Sequence, residues 1–446
     1  MKITGIEIGE YRQFKNIKFD FTYPEGHPKA GQPLEKVCFI GQSGTGKTTL
    51  LNVIWELMNN INEAIAFEPN PKLGENFVGE FAWNSIFDIR YFLAIKGNEF
   101  CFDRTAEIHK SDCKFLTDWL SKISHIQQAN LTDIKKLCIF IKDSISREAD
   151  AFLADQRELP QTFSDIFKTT TQIQESKVVF QDRIEKAGAR KVISLGDMAS
   201  LSIWQYLLRE IISYDGDTPR FMVNLGQKAR GATKDTLKDL EDWLAKNPRI
   251  ELEKECLSPL LDKLFLEVDL VGEEGAFLAL QTKQGTKIPN NTLSTGTRQL
   301  LATAIPIYKF DTKDTVILFD EPERSLFPDI QRELVKYYTG LAPEAQFFFA
   351  THSPIIAAAF EPEERFILYF DDNGEVKYRK GVAPIGDDPN DILHDDFGLK
   401  EVMLDEGLAA YKRYRNLFVE IKSEKDPDRK KELVVEQAKL GDQYKF

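Results

Sequence analysis

The 446-residue sequence has no run of about 20 apolar residues, which excludes an apolar helix that could span a membrane. Its five cysteines are scattered and form no C-x-x-C pair, which argues against a cysteine-based zinc site and against a disulfide framework. The first eight residues alternate like a strand and contain no apolar signal core. We therefore expect the protein to stay in the cytoplasm.

Positive charge is also scarce. The chain has 71 acidic residues against 58 lysines and arginines, which gives a formal net charge of −13. A protein that coats DNA through charge alone would have the opposite balance, so this deficit favours a protein partner over DNA. Sustained heptads are absent, which argues against a long coiled-coil arm. No second set of catalytic motifs follows His352, so we do not expect a fused nuclease.

The pattern of apolar residues changes along the chain and predicts four regions. Alternating residues predict strands near the start, whereas apolar residues spaced by three and four predict helices in the middle. Within that middle region we expect helices around 134–152, 201–212 and 237–244, and we expect Gly216 and Pro219 to stop any long helix. The predicted domains are 1–105 (first part of a nucleotide-binding head), 106–259 (helical insertion), 260–385 (second part of the head) and 386–446 (helical extension).

A complete phosphate-binding motif lies at residues 41–48. They read GQSGTGKT, which matches G-x-x-x-x-G-K-[ST], and they lie between an apolar strand at 37–40 and a helix. Glycines in such a turn let backbone N–H groups surround phosphate oxygens at a helix N-terminus. Lys47 would reach the β- and γ-phosphates, and the Thr48 hydroxyl would bind Mg²⁺. The predicted nucleotide contacts are Gly41, Gln42, Ser43, Gly44, Thr45, Gly46, Lys47, Thr48 and Thr49.

A second motif is an apolar strand that ends in two acids. Residues 316–321 read VILFDE, so a buried strand would place Asp320 beside the metal at the phosphate site. Glu321 would then face the γ-phosphate as the candidate general base for attacking water. Because many buried strands end in an acidic pair, the interpretation depends on this strand's position downstream of a phosphate-binding turn.

Two further segments could bind an anion. Residues 293–299 read LSTGTRQ and lead into an apolar helix, so Ser294 and Gly296 would offer a hydroxyl, backbone N–H groups and a helix dipole. A simple helix N-cap is the alternative interpretation of this segment. Residues 347–354 read FFFATHSP, an apolar strand followed by His352, which could hydrogen-bond a γ-phosphate or the attacking water.

In this order the motifs resemble the ABC-type ATPase head, in the soluble branch that contains the RecF, SMC and OLD-family ATPases. IGEYRQFKN at residues 8–16 is similar to the first strand and turn of that branch. DEPE at 320–323, with SLFP at 325–328, is similar to the OLD-type Walker B motif and D-loop. The resemblance covers residues 1–105 and 260–400, and the insertion carries none.

The resemblance implies an α/β fold, namely an ABC-type P-loop ATPase head with a helical insertion and a C-terminal helical extension. It implies ATP and Mg²⁺ as cofactors, with Lys47, Glu321 and His352 as catalytic residues and Asp320 and Thr48 as metal ligands. Arg12 would contact nucleotide from the turn between the first two strands.

The resemblance also implies a dimer or larger homo-oligomer with shared sites. In this family the signature motif of one subunit covers the ATP that the Walker motifs of the other hold, so Ser294 and Gly296 would act on the partner's nucleotide. Thr295 and Thr297 depart from the commonest signature, LSGGQ. No Q-loop glutamine can be placed, although Gln172 and Gln174 fit by order along the chain.

A last segment concerns the cellular role. DILHDDFG at residues 391–398 resembles a stretch that follows the head in ATPases of bacterial anti-phage systems, such as the PARIS and Septu types. This resemblance implies an ATP-hydrolysing sensor or regulator that controls a separately encoded effector. The alternative is a RecF-like DNA-repair or chromosome-maintenance ATPase, for which Lys186, Arg190 and Lys191 are the candidate DNA-binding residues. A transporter subunit fits less well because of the insertion, and a non-hydrolysing scaffold fits less well because the catalytic motifs are intact.

Overall fold

The computed structural model describes residues 1–66, 89–95, 98–102, 135–153, 177–197, 201–228, 233–271 and 276–446. Within these residues the strands form a four-stranded, a three-stranded and a seven-stranded sheet. The strands are β1 (Lys2–Tyr11), β2 (Phe14–Asp20), β3 (Lys36–Gly41), β4 (Ile89–Ile95), β5 (Asn98–Phe102), β6 (Cys138–Ile141), β7 (Val192–Leu195), β8 (Leu266–Val268), β9 (Leu280–Thr282), β10 (Lys287–Ile288), β11 (Val316–Asp320), β12 (Gln346–Ala350), β13 (Arg365–Phe370) and β14 (Val376–Lys380).

The first helix follows β3, and the other described helices lie between residues 150 and 444. They are α1 (Lys47–Ala66), α2 (Asp150–Leu153), α3 (Lys177–Gly188), α4 (Leu201–Leu207), α5 (Arg209–Lys228), α6 (Thr233–Leu244), α7 (Pro248–Glu251), α8 (Ser258–Leu261), α9 (Thr295–Lys309), α10 (Pro328–Leu341), α11 (Pro354–Ala357), α12 (Pro389–Asp395), α13 (Asp405–Ser423) and α14 (Pro427–Tyr444). A π-helical segment, Leu252–Leu257, joins α7 to α8, and short 3-10 turns occur at Ile145–Ala149, Asp262–Leu264, Asn290–Thr292 and Pro362–Glu364.

The seven-stranded sheet has the strand order β14-β13-β3-β12-β11-β6-β7. All neighbours pair in parallel except β13 and β14, which are antiparallel. The carboxyl ends of the parallel strands therefore meet at one edge of the sheet, where ligands bind in open α/β folds. This edge brings together the phosphate-binding turn, the acidic end of β11 and the loop with His352.

Successive side chains of a strand point to opposite faces of the central sheet, so the core forms two layers. Val316 and Leu318 of β11 join a cluster with α1 and the four-stranded sheet, whereas Ile317 and Phe319 join a cluster with α9 and α10. Both faces of the sheet are thus covered, which explains why its strands read as continuous apolar runs. The predicted fold class is confirmed: the chain is an α/β P-loop head with a C-terminal helical extension.

The described part of the predicted helical insertion also supplies two strands to the central sheet. Strand β6 lies within 134–152, where the apolar pattern predicted a helix, and it pairs in parallel with β11 and β7. The helix prediction is wrong over 138–141, because a short apolar run does not distinguish a buried strand from a buried helix. The predicted boundary at residue 105, like Gln172 and Gln174, lies outside the described residues, so the domain limits stay predictions.

The prediction that Gly216 and Pro219 would stop a long helix is also wrong. Helix α5 runs through both residues from Arg209 to Lys228. On either side of Pro219, the rings of Tyr214 and Phe221 stack on Trp243 of α6, with ring centroids 5.0 and 4.4 Å apart. Such tertiary aromatic contacts offset the intrinsic cost of proline inside a helix.

The predicted helical extension is present as α12, α13 and α14. The last two helices pack on each other, with Leu417 and Leu433 buried between them. Arg413 of α13 forms ion pairs with Glu420 and with Glu436 of α14. Nowhere in the described part of the chain is a helix both long enough and apolar enough to cross a membrane.

Candidate nucleotide-binding and hydrolysis site

The phosphate-binding turn connects β3 to α1, as the sequence predicts. At Gly41 a Cβ atom would lie 2.2 Å from the Leu368 carbonyl oxygen of β13, so no side chain fits there. Gly46 has φ of +96°, and a Cβ atom there would lie 2.2 Å from Gln13 Nε2 and 2.6 Å from the Phe14 ring. These two glycines are therefore required by close packing as well as by the positive φ of Gly46.

The remaining residues of the turn differ in exposure. Gln42, Ser43, Gly44 and Thr48 are exposed, whereas Thr45 is buried and Thr49 is half-buried. The Thr45 hydroxyl donates to the Gln42 carbonyl oxygen at 2.7 Å, which closes the loop on itself. Exposed backbone at a helix N-terminus is the arrangement that phosphate binding requires.

Lys47 lies inside the curve of this turn. Its Nζ atom donates to the carbonyl oxygens of Gly41 at 2.8 Å and Gln42 at 3.1 Å. Burial lowers the pKa of Lys47 to about 8, although the nearby carboxylates of Glu321, Asp320 and Glu323 act in the opposite direction. An anionic ligand in the turn would favour the charged form of this amine.

Thr48 and Asp320 meet at the carboxyl edge of the sheet. The Thr48 hydroxyl donates to Asp320 Oδ1 at 3.0 Å. Burial raises the pKa of Asp320 to about 6, the Thr48 hydrogen bond opposes this shift, and Glu321 and Asp143 add to it. The two side chains thus present adjacent oxygens close to further carboxylates.

This pair fits Mg²⁺, which is usually held by one or two protein oxygens together with substrate phosphates and water. A divalent cation would also offset the burial and the acidic neighbours that raise the Asp320 pKa. Among the described residues, no group of three or more His, Cys, Asp or Glu side chains is arranged to hold a metal by itself. The donor set therefore suits a cation that arrives with a phosphate ligand.

Glu321 and His352 face each other across neighbouring strands. His352 Nε2 lies 3.9 Å from Glu321 Oε1, and the Glu321 N–H donates to the Ala350 carbonyl oxygen at 2.9 Å. Burial and the charge of Lys47 lower the pKa of His352, which favours the neutral imidazole. A carboxylate and a neutral imidazole at this spacing could both hydrogen-bond one water molecule that lies beside them.

Ser294 and Gly296 lie at the N-terminus of α9. Ser294 is exposed, and its Oγ atom caps the helix by accepting from the Thr297 N–H at 3.1 Å. Gly296 packs on the D-loop, because a Cβ atom there would lie 2.5 Å from the Ser325 carbonyl oxygen. The N-cap that the sequence offered as an alternative is therefore present, and it leaves the Ser294 side chain at the surface.

Arg12 and Gln13 occupy the turn between β1 and β2. The Arg12 guanidinium lies over the Tyr11 ring, 5.2 Å from its centroid, and its charge acts on Glu56 of α1. Gln13, which the sequence analysis did not select, is closer to the phosphate-binding turn, with Nε2 3.5 Å from both Gly44 O and Thr49 Oγ1. The predicted nucleotide contact of Arg12 stays a prediction.

Three more side chains that support the site were not predicted from the sequence. Glu323 accepts hydrogen bonds from the segment that contains His352, and Gln299 Nε2 donates to the Pro322 carbonyl oxygen at 2.8 Å. Asp143 follows β6, pairs with Arg324 and lies close enough to Asp320 to raise its pKa. Asp143 was missed because β6 was interpreted as a helix, and its place beside β11 was therefore not foreseen.

Three solved structures to which this chain is similar are SMC heads. Among solved structures, an SMC head bound to the C-winged helix domain of ScpA is similar at 13% identity and a TM-score of 0.38, over 85% of this chain and 97% of that one. An SMC head with an extended coiled coil, bound to the C-terminal domain of ScpA derived from Pyrococcus furiosus, gives 13% identity and a TM-score of 0.34, over 85% and 96% of the two chains. The SMC head domain from Thermotoga maritima gives 11% identity and a TM-score of 0.38, over 86% of this chain and 100% of that one.

No curated protein matches the sequence. The family model described as the AAA ATPase domain matches residues 1–357 of the 446. This region includes β3 with the phosphate-binding turn, the signature segment, the acidic strand end and His352. The chain therefore belongs to the AAA ATPase domain family, and it is a P-loop ATPase.

Proposed function

We propose that this ATPase binds Mg²⁺-ATP at the carboxyl edge of its central sheet and hydrolyses it there. Gly41 to Thr49 surround the phosphates, Lys47 pairs with the β- and γ-phosphates, and Thr48 and Asp320 hold Mg²⁺, which neutralises phosphate charge when bound. Glu321 accepts a proton from the attacking water, and His352 orients that water or the γ-phosphate. Arg12 contacts the nucleotide from the neighbouring turn.

The observation that carries this proposal is that two pairs of side chains lie close together, Thr48 with Asp320 and Glu321 with His352. The Thr48 hydroxyl is 3.0 Å from Asp320 Oδ1, and His352 Nε2 is 3.9 Å from Glu321 Oε1. Thr48 begins α1 after β3, the two acids lie at the end of β11, and His352 follows β12. These three strands are parallel neighbours. A metal position and a water position next to the phosphate-binding turn are the parts that ATP hydrolysis requires.

We further propose that each site is completed by a second copy of the chain. Ser294 is exposed at the N-terminus of α9, where its hydroxyl, the N–H groups and the helix dipole can reach an anion outside its own chain. Phe327, in the D-loop that Gly296 packs on, is 74% exposed, although large aromatic side chains are usually buried. A two-fold dimer would cover Phe327 and bring Ser294 and Gly296 to the partner's nucleotide.

For the cellular role we propose an ATP-dependent sensor or regulator of a bacterial anti-phage system that controls a separately encoded effector. The OLD-type motifs at 320–328, the segment at 391–398 and the net charge of −13 support this role. The alternative, a DNA-binding repair ATPase, is less well supported. Lys191 is buried, so one of the three basic residues does not offer its charge to DNA, and Lys186 already pairs with Asp182 at 2.7 Å.

Steady-state hydrolysis of ATP tests the enzymatic part of the proposal. We expect Mg²⁺-dependent release of phosphate by the wild type and loss of both nucleotide binding and hydrolysis in Lys47→Ala. Lys186→Ala is a matched control, because its amine lies in an exposed ion pair within α3. A Lys47→Ala protein that hydrolyses ATP at the wild-type rate would overturn the assignment of this site.

The regulatory part is tested by affinity purification from the native host. Tagged Glu321→Gln protein is isolated with and without ATP, and bound protein and nucleic acid are identified. A discrete protein that is retained or released with nucleotide supports control of an effector. Recovery of mainly DNA would instead favour the repair ATPase and contradict the proposed role.

A further inference from the structure

Glu323 is an acidic side chain next to the site that the proposed hydrolysis does not use. It follows Asp320 and Glu321 in the DEPE motif, and its carboxylate is hydrogen-bonded to the loop after β12. Glu323 Oε1 accepts the Thr351 hydroxyl at 2.6 Å and the His352 N–H at 2.9 Å. One carboxylate oxygen thus holds both Thr351 and His352 by hydrogen bonds.

Further hydrogen bonds of Thr351 and Ser353 also fix the loop that Glu323 holds. Thr351 is fully buried, and its N–H donates to the Phe39 carbonyl oxygen at 3.1 Å. The Ser353 N–H donates to Thr351 Oγ1 at 2.9 Å, and the Ser353 hydroxyl donates to Gln331 Oε1 at 2.7 Å. By contrast, the His352 side chain itself is 45% exposed and makes its closest charged contact with Glu321. The position of its imidazole therefore depends on the backbone of this loop.

The geometry does not suit Glu323 for a direct chemical role. Its Oε1 atom is occupied by two donors, and its Oε2 atom is buried. Burial raises the pKa of Glu323, while the hydrogen bonds from Thr351 and His352 act in the opposite direction. A carboxylate whose hydrogen bonds go to another loop acts mainly through the residues that it holds.

We infer that Glu323 is a positioning residue for ATP hydrolysis, which holds the His352 loop so that the imidazole stays opposite Glu321. This inference rests on the proposed function and assigns one further residue to the same site. Because a displacement of about 1 Å in a catalytic group can cost about 10²-fold in rate, loss of the two hydrogen bonds should slow hydrolysis strongly. ATP binding should be unaffected, since Lys47 and Thr48 make no hydrogen bond to Glu323.

The test compares Glu323→Ala, Glu323→Gln and the control Glu333→Ala by kcat, KM and nucleotide affinity. Glu333 lies on α10 in an exposed ion pair with Lys263. We expect Glu323→Ala to lose about 10²-fold in kcat with unchanged affinity for ATP. In Glu323→Gln the amide oxygen can accept both hydrogen bonds, so we expect kcat within a few-fold of wild type. Glu333→Ala should match wild type.

Thr351→Val supplies a second measurement in case Glu323→Ala does not fold. At nearly constant volume it removes one of the two donors to Glu323 and the acceptor of the Ser353 N–H in the same loop, and we expect at least about a tenfold loss of kcat. Wild-type kcat in Glu323→Ala, or in Thr351→Val where the alanine variant does not fold, would overturn the inference. Equal losses in Glu323→Ala and Glu323→Gln would also overturn it, since that result would indicate a requirement for the charge.

Two further variants separate this inference from the proposed function. If Glu321→Gln and His352→Gln both hydrolyse ATP at the wild-type rate, the proposed site itself fails. If both are slow while Glu323→Ala is as fast as wild type, the site stands and only the positioning role of Glu323 is lost.

Discussion

At the scale of single residues, the backbone of Glu321 is the strongest sign of function beyond the motifs. Its φ is +49°, in the left-handed region that non-glycine residues rarely adopt. Such a conformation costs about 1–3 kcal/mol and persists where the surroundings enforce it. Here the Glu321 N–H is held by Ala350 O, and the turn aims the carboxylate at His352.

We predict that Glu321→Gln binds ATP but hydrolyses it about 10²–10⁴-fold more slowly, because it removes one general base. The amide retains the size of the side chain, so the turn and the metal ligands should be preserved. Phosphate release and nucleotide binding are measured in parallel, with Glu333→Gln as the control for an exposed glutamate on α10. Turnover near the wild-type rate would exclude Glu321 as the base.

Single-residue predictions from the sequence succeed where one short segment contains all the information. The phosphate-binding turn is recognisable because glycine spacing, Lys47 and Thr48 lie within eight residues between a strand and a helix. The contact of Glu323 with Thr351 joins two strand ends that are far apart in sequence. No local pattern contains that contact, because it depends on β11 and β12 being parallel neighbours.

At the scale of elements, the C-terminal extension is joined to the head by a buried ion pair. Arg365 of β13 and Asp396 after α12 are both fully buried, and Arg365 Nε lies 2.9 Å from Asp396 Oδ2. Asp396 also accepts the Val382 N–H at 2.9 Å. The segment at 391–398, which suggested a cellular role in the sequence, thus also anchors the extension.

We predict that Asp396→Ala lowers the free energy of unfolding by about 3–5 kcal/mol, because it leaves the Arg365 charge buried without its partner. Chemical denaturation followed by circular dichroism measures the change. Asp395→Ala is the matched control, since Asp395 is the exposed neighbour in the same segment. A loss as small as that of the control would show that the pair does not hold the extension.

A buried lysine joins α3 to β6. Lys136 donates to the carbonyl oxygens of Gly188 and Arg190 at the end of α3, and burial lowers its pKa to about 7. The folded protein therefore binds fewer protons at this site than the unfolded chain between about pH 7 and the ordinary lysine pKa. The stability contributed by this residue must rise with pH across that window and stay constant below it.

We predict that Lys136→Met removes this pH dependence. The difference in unfolding free energy between wild type and variant should grow in favour of wild type above pH 7, by at most about 1.4 kcal/mol per pH unit. Denaturation curves at several pH values from 6 to 10, roughly the window between the two pKa values, measure it. Lys142→Met is a control, because Lys142 pairs with Asp197 and is only partly buried. A constant difference would contradict the lowered pKa.

At the scale of the whole molecule, the sequence predicted which motifs a P-loop head carries but not how its middle region is built. Residues 138–141 and 192–195 complete the central sheet beside β11, although helical patterns surround them. Pairing between segments that distant depends on the fold as a whole. The exposure of Phe327 also depends on the whole fold, because the surface of the protein forms only when the chain has folded.

If each active site is shared between two chains, two different inactive variants should restore each other's hydrolysis when they are mixed. Ser294→Arg places a bulky cation at an exposed helix start, so each subunit should still bind ATP through Lys47 while the dimer fails to hydrolyse it. Lys47→Ala has the opposite defect. Its signature segment is intact, but its phosphate-binding turn no longer binds ATP. Mixing the two inactive proteins should restore hydrolysis, up to about a quarter of wild type, since half of randomly formed dimers are mixed and each has one complete site. Thr339→Arg is a control, because Thr339 lies in α10 away from both motifs. If the mixture stays inactive while Ser294→Arg alone has lost ATP binding, Ser294 acts within its own chain and the shared site is excluded.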